Sequence, residues 1–298
     1  MLARSTALVL PRQRSVHTHL SIRLLSTATL SFSKISRPLP QDSPRSQPIV
    51  ILHGLFGSKQ NWNALSKAMA SRLNTDVFAL DLRNHGESTH SEVHDYAHMA
   101  NDVVHFLKEQ NLERPIVIGH SMGGKVTMTM ALRHASQTPL DRIVVVDMAP
   151  VKVKLSADFA QYVTVMKEIQ QARVKKQSEA DQIMKKVVPE LGVRQFLLTN
   201  LKKDPSSDFY SFRVPIETLG NSLEKLGHFD FISGQDCYNG KALFIKGNKS
   251  GYVKEREEGL IREFFPHARI EGLDTGHWVH AQKPEEFLKL VTDFAVEK

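Results

Sequence analysis

The stretch that decides the fold is Pro115-Ile-Val-Ile-Gly-His-Ser121-Met-Gly-Gly124. It begins with a short apolar run rich in β-branched residues, which indicates a strand buried on both faces. This run leads directly into the pattern Gly-x-Ser-x-Gly, and a helical pattern follows from Met122 to Ala135. A sharp strand-to-helix turn strains the serine backbone, so the close neighbours of the serine must be glycine. The stretch therefore predicts a serine hydroxyl raised above the sheet edge, at a helix N-terminus.

Comparable apolar runs lie on both sides of this strand along the chain. Segments of helical period separate them, such as Tyr96–Gln110 and Pro284–Val296. Strands that alternate with helices predict a doubly wound, mostly parallel α/β sheet. The five further predicted strands are Pro48–Leu52, Val77–Leu80, Arg142–Val146, Lys241–Ile245 and the weaker Ala268–Leu273.

The alternation lapses between Val151 and Phe229, where the pattern is helical and carries little strand signal. We expect residues 151–228 to form a helical cap, and residues 42–150 and 229–298 to form the α/β core. Such a cap lies over the carboxyl ends of the strands, where open sheets bind their ligands. The helices predicted in it are Ser156–Ala172, Ser178–Leu191, Val193–Lys202 and Ile216–Leu226.

The charge of the chain is concentrated at its start. Six of the 39 basic residues and no acidic residue lie in residues 1–41, so the remainder carries about +1 of the total +7. The body of the chain therefore gives no electrostatic reason to expect a nucleic-acid partner. No apolar run approaches the roughly 20 residues that span a bilayer, so we expect no transmembrane helix. The single cysteine, Cys237, excludes an intramolecular disulfide framework and a multi-cysteine metal site.

Residues 1–41 are rich in arginine, serine and threonine, which is typical of a mitochondrial transit peptide. Arg12, Arg14 and Arg23 interrupt the apolar core that a secretory signal would need. We therefore expect residues 1–41 to be a transit peptide and linker that the mitochondrial import machinery recognises, and the protein to be mitochondrial. The alternative is an N-terminal tail that is not processed.

A serine hydroxyl is a poor nucleophile unless a base removes its proton. The sequence Asp274-Thr-Gly-His277-Trp278 follows the last predicted strand and precedes the final helix, so His277 is the predicted base. His280 is the alternative, three residues further on. The sequence shows no carboxylate or cysteine partners in the pattern of a metal site for His90, His94, His98 and His134, and we expect neither a metal nor a cofactor.

The third residue of such a site is a carboxylate at the carboxyl end of a strand, which orients the imidazole. The strand at 241–245 is followed by Gly247-Asn-Lys-Ser250, which contains no acid, whereas the strand at 142–146 ends at Asp147. Asp147 is therefore the predicted acid, and Ser250 is expected to add a hydrogen bond. Asp236, at the wrong end of its strand, and Glu217, in the cap, remain as alternatives.

A developing oxyanion needs at least two backbone N–H donors. Met122 is predicted to supply one, and the loop after the first core strand the other, with Leu55 as first choice and Phe56 as second. Asp81 and Arg83 are expected to support this loop. The expected apolar substrate pocket has aromatic residues whose alternative role is ordinary core packing: Phe56, Phe159, Tyr162, Phe212 and Trp278.

These residues together resemble the α/β-hydrolase superfamily over roughly residues 47–298. The paired signatures His53-Gly-Leu-Phe-Gly-Ser58 and Val145-Val-Asp147-Met-Ala-Pro150 resemble a narrower group. It includes abhydrolase-domain-containing protein 11, small bacterial esterases and the yeast ethanol acetyltransferases. The resemblance implies an eight-stranded sheet with a helical cap, ester or thioester hydrolysis, and mitochondrial residence in eukaryotes. It also supports an acid at Asp147, since the commoner acid position, after the following strand, holds none.

The expected function is that of a serine hydrolase, which cleaves small-molecule carboxylic esters or thioesters through an acyl-enzyme on Ser121. One alternative is an alcohol acyltransferase that uses the same acyl-enzyme. Another is a non-catalytic partner of mitochondrial enzymes, against which the intact set of Ser121, Asp147 and His277 argues. Haloalkane dehalogenases and epoxide hydrolases are disfavoured, because both need an aspartate at the position of Ser121.

Overall fold

The main sheet runs through the centre of the computed structural model, which describes residues 27–36, 46–153, 155 and 157–297. Seven strands of the described residues form this sheet in the order β1-β3-β2-β4-β5-β8-β9. All neighbours are parallel except β1, which runs antiparallel to β3. The strands are β1 (Phe32–Ile35), β2 (Ile49–Leu52), β3 (Val77–Leu80), β4 (Ile116–His120), β5 (Arg142–Val146), β8 (Lys241–Gly247) and β9 (Ala268–Leu273).

Helices cover both faces of this sheet. Met69 of α1 and Phe287 of α10 share one apolar cluster with Ile51, while Met99 of α2 and Val126 of α3 belong to a second cluster. No helix in the described part of the chain has both the length and the hydropathy needed to cross a bilayer. The core helices are α1 (Asn63–Leu73), α2 (Tyr96–Glu109), α3 (Met122–His134), α8 (Glu255–Phe264), α9 (Val279–Gln282) and α10 (Pro284–Val296), with a 3-10 turn at Lys59–Trp62.

The predicted α/β architecture is confirmed, as a mostly parallel sheet flanked by helices. Strands β2 to β5 are buried at every position, which is why each appears in the sequence as a continuous apolar run. The described residues contribute seven strands to this sheet, one fewer than the eight that the resemblance implies. One of the seven, β1, lies outside the predicted core.

The cap lies between β5 and β8 and is mostly helical. It also contains a short antiparallel pair, β6 and β7, for which the sequence pattern carries little signal. The cap elements are α4 (Ala157–Gln171), α5 (Gln177–Lys185), α6 (Leu191–Leu198), β6 (Leu201–Lys203), β7 (Tyr210–Phe212) and α7 (Ile216–Gly227).

Two predicted cap helices end earlier than expected. The helix predicted at Ser178–Leu191 ends at Lys185, because the predicted range contains Pro189, which disfavours helical geometry in the residue before it. The helix predicted at Val193–Lys202 ends at Leu198, and the chain then turns to form the hairpin of β6 and β7.

The N-terminal arm (residues 27–35) corrects the predicted domain boundary. Its strand β1 forms the edge of the main sheet, and Ala28 and Leu30 are buried. The backbone N–H of Ala28 donates to Asp102 Oδ1 at 2.8 Å. The boundary expected at residue 41 is therefore too late, because part of the predicted leader belongs to the α/β core. Most of that leader, residues 1–26, and residues 37–45 lie outside the described residues.

Candidate active site

Ser121 lies at the turn between β4 and α3, which we call the elbow (residues 119–124). Its backbone has φ 53° and ψ −114°, a strained conformation for a residue with a side chain. A Cβ atom on Gly119 would lie 2.1 Å from the carbonyl oxygen of Gly123. A Cβ atom on Gly123 would lie 2.3 Å from the carbonyl oxygen of Leu52. Glycine at these two positions therefore permits the close helix–strand approach that raises Ser121 at the sheet edge.

A continuous chain of hydrogen bonds connects Ser121, His277 and Asp147. His277 Nε2 lies 3.0 Å from Ser121 Oγ, and His277 Nδ1 lies 2.7 Å from Asp147 Oδ2. Because the carboxylate can only accept, Nδ1 carries a proton, and Nε2 of the neutral ring offers its lone pair to the serine hydroxyl. The Nε2–Oγ distance falls within the range that proton transfer to a general base requires. The structure thus brings together all three residues singled out in the sequence.

Asp147 is completely buried, and both of its carboxylate oxygens accept hydrogen bonds. Its Oδ1 accepts the backbone N–H of Gly247 at 2.9 Å, and its Oδ2 also accepts the hydroxyl of Ser250 at 2.5 Å. Its own N–H donates to the carbonyl of Ile245 at 2.8 Å. The turn after β8 therefore carries no acid but supplies the donors that fix the acid at the end of β5.

The alternatives left open by the sequence are not part of this chain of hydrogen bonds. His280 is buried with its ring stacked on Trp62, at a centroid distance of 4.2 Å. Glu217 is exposed and pairs with Lys167 at 2.6 Å. The carboxylate of Asp236 accepts the backbone N–H of Ile232 at 2.7 Å. Within the described residues, none of these three side chains is hydrogen-bonded to Ser121 or His277.

One predicted oxyanion donor is wrong. The N–H of Phe56 donates to His85 Nε2 at 3.1 Å, so it is already engaged. His85 Nδ1 donates to the carbonyl of Arg83 at 2.9 Å, which leaves Nε2 as the acceptor. Burial lowers the pKa of His85 well below its ordinary value, so the ring stays neutral and keeps this role. Leu55 and Met122 remain as the candidate donors, and the N–H of Met122 belongs to the unpaired first turn of α3.

The loop that carries Leu55 is held by residues that the sequence reading had not assigned to it. His53 Nδ1 donates to the carbonyl of Gly54 at 2.8 Å, and His53 Nε2 accepts the N–H of Leu82 at 3.0 Å. Burial lowers the pKa of His53 and favours the neutral ring that these two bonds need. The supporting role expected for Asp81 agrees with the structure, because its carboxylate accepts from Lys59 Nζ at 2.6 Å and from the Lys59 N–H at 2.7 Å.

A cavity of about 1280 Å³ opens over Ser121 and His277, between the cap and the core. Among the aromatic residues predicted to line a pocket, Phe212 is buried but does not reach the cavity. The other four do line it: Phe56, Phe159, Tyr162 and Trp278. The charged lining residues are Lys152, Asp158, Arg256 and Glu257. In the described part of the chain, no three His, Cys, Asp or Glu side chains lie where they could hold a metal ion.

Comparison with known proteins identifies a family with this fold. A family model described as alpha/beta hydrolase fold matches residues 47–284. Among solved structures, a marine microorganism esterase superimposes with a TM-score of 0.77 and 30% sequence identity, covering 90% of this chain and 100% of the esterase.

Two relatives carry functional names. The chain is 38% identical over 269 residues to the sn-1-specific diacylglycerol lipase ABHD11 of Mus musculus, covering 87% of this chain and 86% of the mouse protein. It is 35% identical over 299 residues to a probable alcohol acetyltransferase of Saccharomyces cerevisiae, covering 95% of this chain and 85% of the yeast protein.

Proposed function

The chain belongs to the α/β-hydrolase family, and from that premise we propose that it is a serine hydrolase of carboxylic esters or thioesters. One observation carries the proposal. A hydrogen-bonded chain from Ser121 through His277 to the buried Asp147 opens into a large, mainly aromatic and aliphatic cavity. In this proposal the three residues form a catalytic triad.

Acylation begins when Ser121 Oγ bonds to the carbonyl carbon of the substrate while His277 Nε2 accepts the hydroxyl proton. The carbonyl oxygen becomes an oxyanion, which the N–H groups of Leu55 and Met122 and the N-terminus of α3 stabilise. Asp147 stabilises the imidazolium that forms at the same time. The fixed contacts of its carboxylate mean that little reorganisation is needed at this step.

The tetrahedral intermediate then breaks its bond to the leaving alkoxide or thiolate, which receives the proton held on His277. The acyl group stays on Ser121 as an ester. Deacylation repeats the sequence with water as the nucleophile. His277 takes a proton from the water, and the water oxygen bonds to the acyl carbon. The bond between the acyl carbon and Ser121 Oγ then breaks as His277 returns the proton to Oγ, which releases the carboxylic acid.

The cavity indicates the class of acyl group. Its volume exceeds the roughly 300–1,000 Å³ typical of small-molecule sites, so an extended apolar acyl chain can be accommodated. Phe159 and Tyr162 reach it from the cap, while Phe56 and Trp278 reach it from the core. We therefore expect hydrolysis rates to rise from acetyl to medium-chain esters, as more apolar surface is buried on binding.

Acyl transfer to an alcohol is the second candidate, because the yeast relative is named a probable alcohol acetyltransferase. Both reactions share the acyl-enzyme and differ in which nucleophile attacks it. The test is to incubate the purified protein with p-nitrophenyl esters of increasing chain length, with and without ethanol, and to quantify acid and ethyl ester. Acid as the main product supports hydrolysis, whereas ethyl ester that dominates at modest ethanol concentration favours the transferase. Equal turnover by the Ser121→Ala variant would contradict both.

We further propose that the protein is mitochondrial, on the acid-free, arginine- and serine-rich composition of its leader. Since the N-terminal arm is part of the core, the targeting information is assigned to residues 1–26. A fluorescent protein fused to residues 1–26 should co-localise with a mitochondrial dye. Diffuse signal from that fusion, with equally diffuse signal from the full-length fusion, would contradict the proposal and leave the enzymatic one untouched.

A further inference from the structure

Five aromatic rings form a continuous series of contacts that includes His277. Trp62 stacks on His280 with centroids 4.2 Å apart, and His280 meets His120 edge to face at 4.6 Å. His120 lies 4.8 Å from His277 with the two ring planes tilted by 42°, and His277 stacks on Tyr252 at 4.2 Å with an interplanar angle of 24°. The imidazole that contacts Ser121 therefore touches both a histidine ring and the face of a tyrosine ring.

The two neighbouring histidines, His120 and His280, remain uncharged. Burial lowers the pKa of His120 well below its ordinary value, and burial lowers the pKa of His280 to about 3. His120 Nε2 lies 3.0 Å from the carbonyl oxygen of His277 and donates to it, which positions the backbone of His277. Neither ring therefore places a second positive charge beside His277 at neutral pH.

The ring of Tyr252 has a different character. A phenol ring presents a negative π face, and a cation within about 6 Å of the ring centroid is attracted to it. The pKa of Tyr252 is raised to about 12 by burial, and the nearby Asp147 and Asp158 also raise it. The phenol therefore stays neutral throughout the range in which an imidazole titrates.

The position of Tyr252 is set by the same turn that holds the acid. Its backbone N–H donates to Ser250 Oγ at 3.3 Å, and that hydroxyl in turn donates to Asp147 Oδ2. This contact uses the Tyr252 backbone and does not depend on the side chain. The ring can thus be changed without removing the hydrogen bond that supports Ser250.

We propose that Tyr252 is a positioning residue whose ring face stabilises the protonated form of His277 during the reaction. The proposal rests on the proposed function, in which His277 is the base. The groups that face His277 are Asp147 at the end of β5, Ser121 and His120 at the elbow, His280 of α9, and Tyr252 after β8. Asp147 holds the imidazolium at its edge, and Tyr252 acts on its face.

The test follows the reaction of Ser121 with a fluorophosphonate from pH 5 to pH 9. In that reaction Ser121 Oγ bonds to phosphorus, fluoride leaves, and His277 accepts the hydroxyl proton. The rate constant therefore falls at low pH, where the general base is protonated, and the midpoint of that fall is the quantity compared between variants.

Tyr252→Leu removes the π face, so the imidazolium loses the stabilisation that this ring supplies. We expect the midpoint to move to lower pH by about half to one unit. Tyr252→Phe retains the ring and should keep the wild-type midpoint. Tyr252→Met serves as a second ring-free variant if the leucine variant does not fold. Tyr162→Leu is the matched control, because it removes a cavity aromatic that packs on Phe159, and it should not move the midpoint.

A lower plateau with an unchanged midpoint in both ring-free variants would overturn the proposal, since it would mean that Tyr252 only fills space. Equal shifts in the phenylalanine and leucine variants would also overturn it, because the hydroxyl would then be responsible. Failure of the wild-type protein to react at all would overturn the proposed function and this inference with it. A reactive wild type with unshifted variants would overturn the inference alone.

Discussion

The elbow and the N-terminal arm differ in how readily each can be recognised from the sequence. At the elbow, Gly119 and Gly123 are required because a Cβ atom at either position would collide with backbone a few residues away or on the adjoining strand. In the arm, the contacts are made with side chains distant in sequence, as when Ala28 N–H bonds to Asp102 and Ser31 N–H bonds to Ser88 Oγ. A local steric requirement produces a recognisable sequence motif, whereas hydrogen bonds between segments distant in sequence do not.

The arm also contributes to a buried network of charges behind the active-site loop. Arg83 and Asp102 form a bidentate ion pair at 2.6 and 2.7 Å with both side chains inaccessible to solvent, and Asp102 also receives the arm's N–H. Lys59 Nζ donates both to Asp81 and to Ser31 Oγ of the arm. The arm therefore serves stability, while the elbow serves chemistry, and the two roles can be separated by mutation.

Ser121→Ala should produce the largest functional effect. The nucleophile is lost while the backbone and its packing are kept, so we expect ester turnover to fall by roughly 10⁴- to 10⁶-fold. The midpoint of thermal unfolding should change by no more than a few degrees. Ester turnover by the purified protein checks the first expectation, and a melting curve checks the second. A large loss of stability would show that the Ser121 side chain also stabilises the fold.

Asp147→Asn should come next, since the amide favours the wrong imidazole tautomer at His277. In a well-studied serine protease this change costs about 10⁴-fold in turnover, and we expect a loss of about 10²- to 10⁴-fold here because Ser250 still contacts the side chain. Glu217→Gln and Asp236→Asn are the matched controls and should retain turnover. Near-native turnover of Asp147→Asn, together with collapse of a control, would place the acid elsewhere.

Removal of the arm tests the other side of the comparison. A protein lacking residues 1–35 loses buried Leu30 and the partly buried β1, so its free energy of unfolding should fall by roughly 3 kcal/mol or more. A protein lacking only residues 1–26 should unfold like the full chain. Within the full chain, Leu30→Ala should cost about 2–3 kcal/mol, with ester turnover of the folded protein retained. Denaturant unfolding measures the stability of the two truncated proteins and of Leu30→Ala. Equal stability of the two truncated proteins would show that the arm does not contribute to the core.

Ser250→Ala should have the smallest effect of the series. It deletes the hydroxyl that donates to Asp147 Oδ2 but leaves the bonds from Gly247 and His277. A single hydrogen bond to a charged acceptor accounts for a loss in turnover of about tenfold. A loss as large as that of Asp147→Asn would mean that the hydroxyl, rather than the aspartate, is the principal partner of the site.

The parts of the site that sequence reasoning located are those set by strand order and backbone geometry. Ser121, Asp147 and His277 each follow a predicted strand, and parallel strands bring their carboxyl ends to one edge. Phe56 was misassigned because its N–H meets His85, and that contact depends on how the loops after β2 and β3 pack. Tyr252 was missed for a similar reason, since nothing local marks a ring that stacks on His277.

The same distinction explains the errors in the fold. The central strands are buried on both faces and appear as apolar runs. In contrast, β1 is an edge strand whose burial alternates along Phe32–Ile35, within a segment whose arginines and serines resemble a leader. The hairpin of β6 and β7 is only three residues long on each side, too short for a period to be recognised.

The account's central claim is that Ser121 is a nucleophile activated by His277, and a mapped covalent adduct tests it most directly. The protein is treated with a fluorophosphonate, digested, and analysed by mass spectrometry, beside the Ser121→Ala and His277→Gln variants. We predict one adduct, on the peptide that contains Ser121, absent from Ser121→Ala and formed far more slowly in His277→Gln. An adduct of equal yield in Ser121→Ala, or ester hydrolysis by a protein that forms no adduct at Ser121, would contradict the claim.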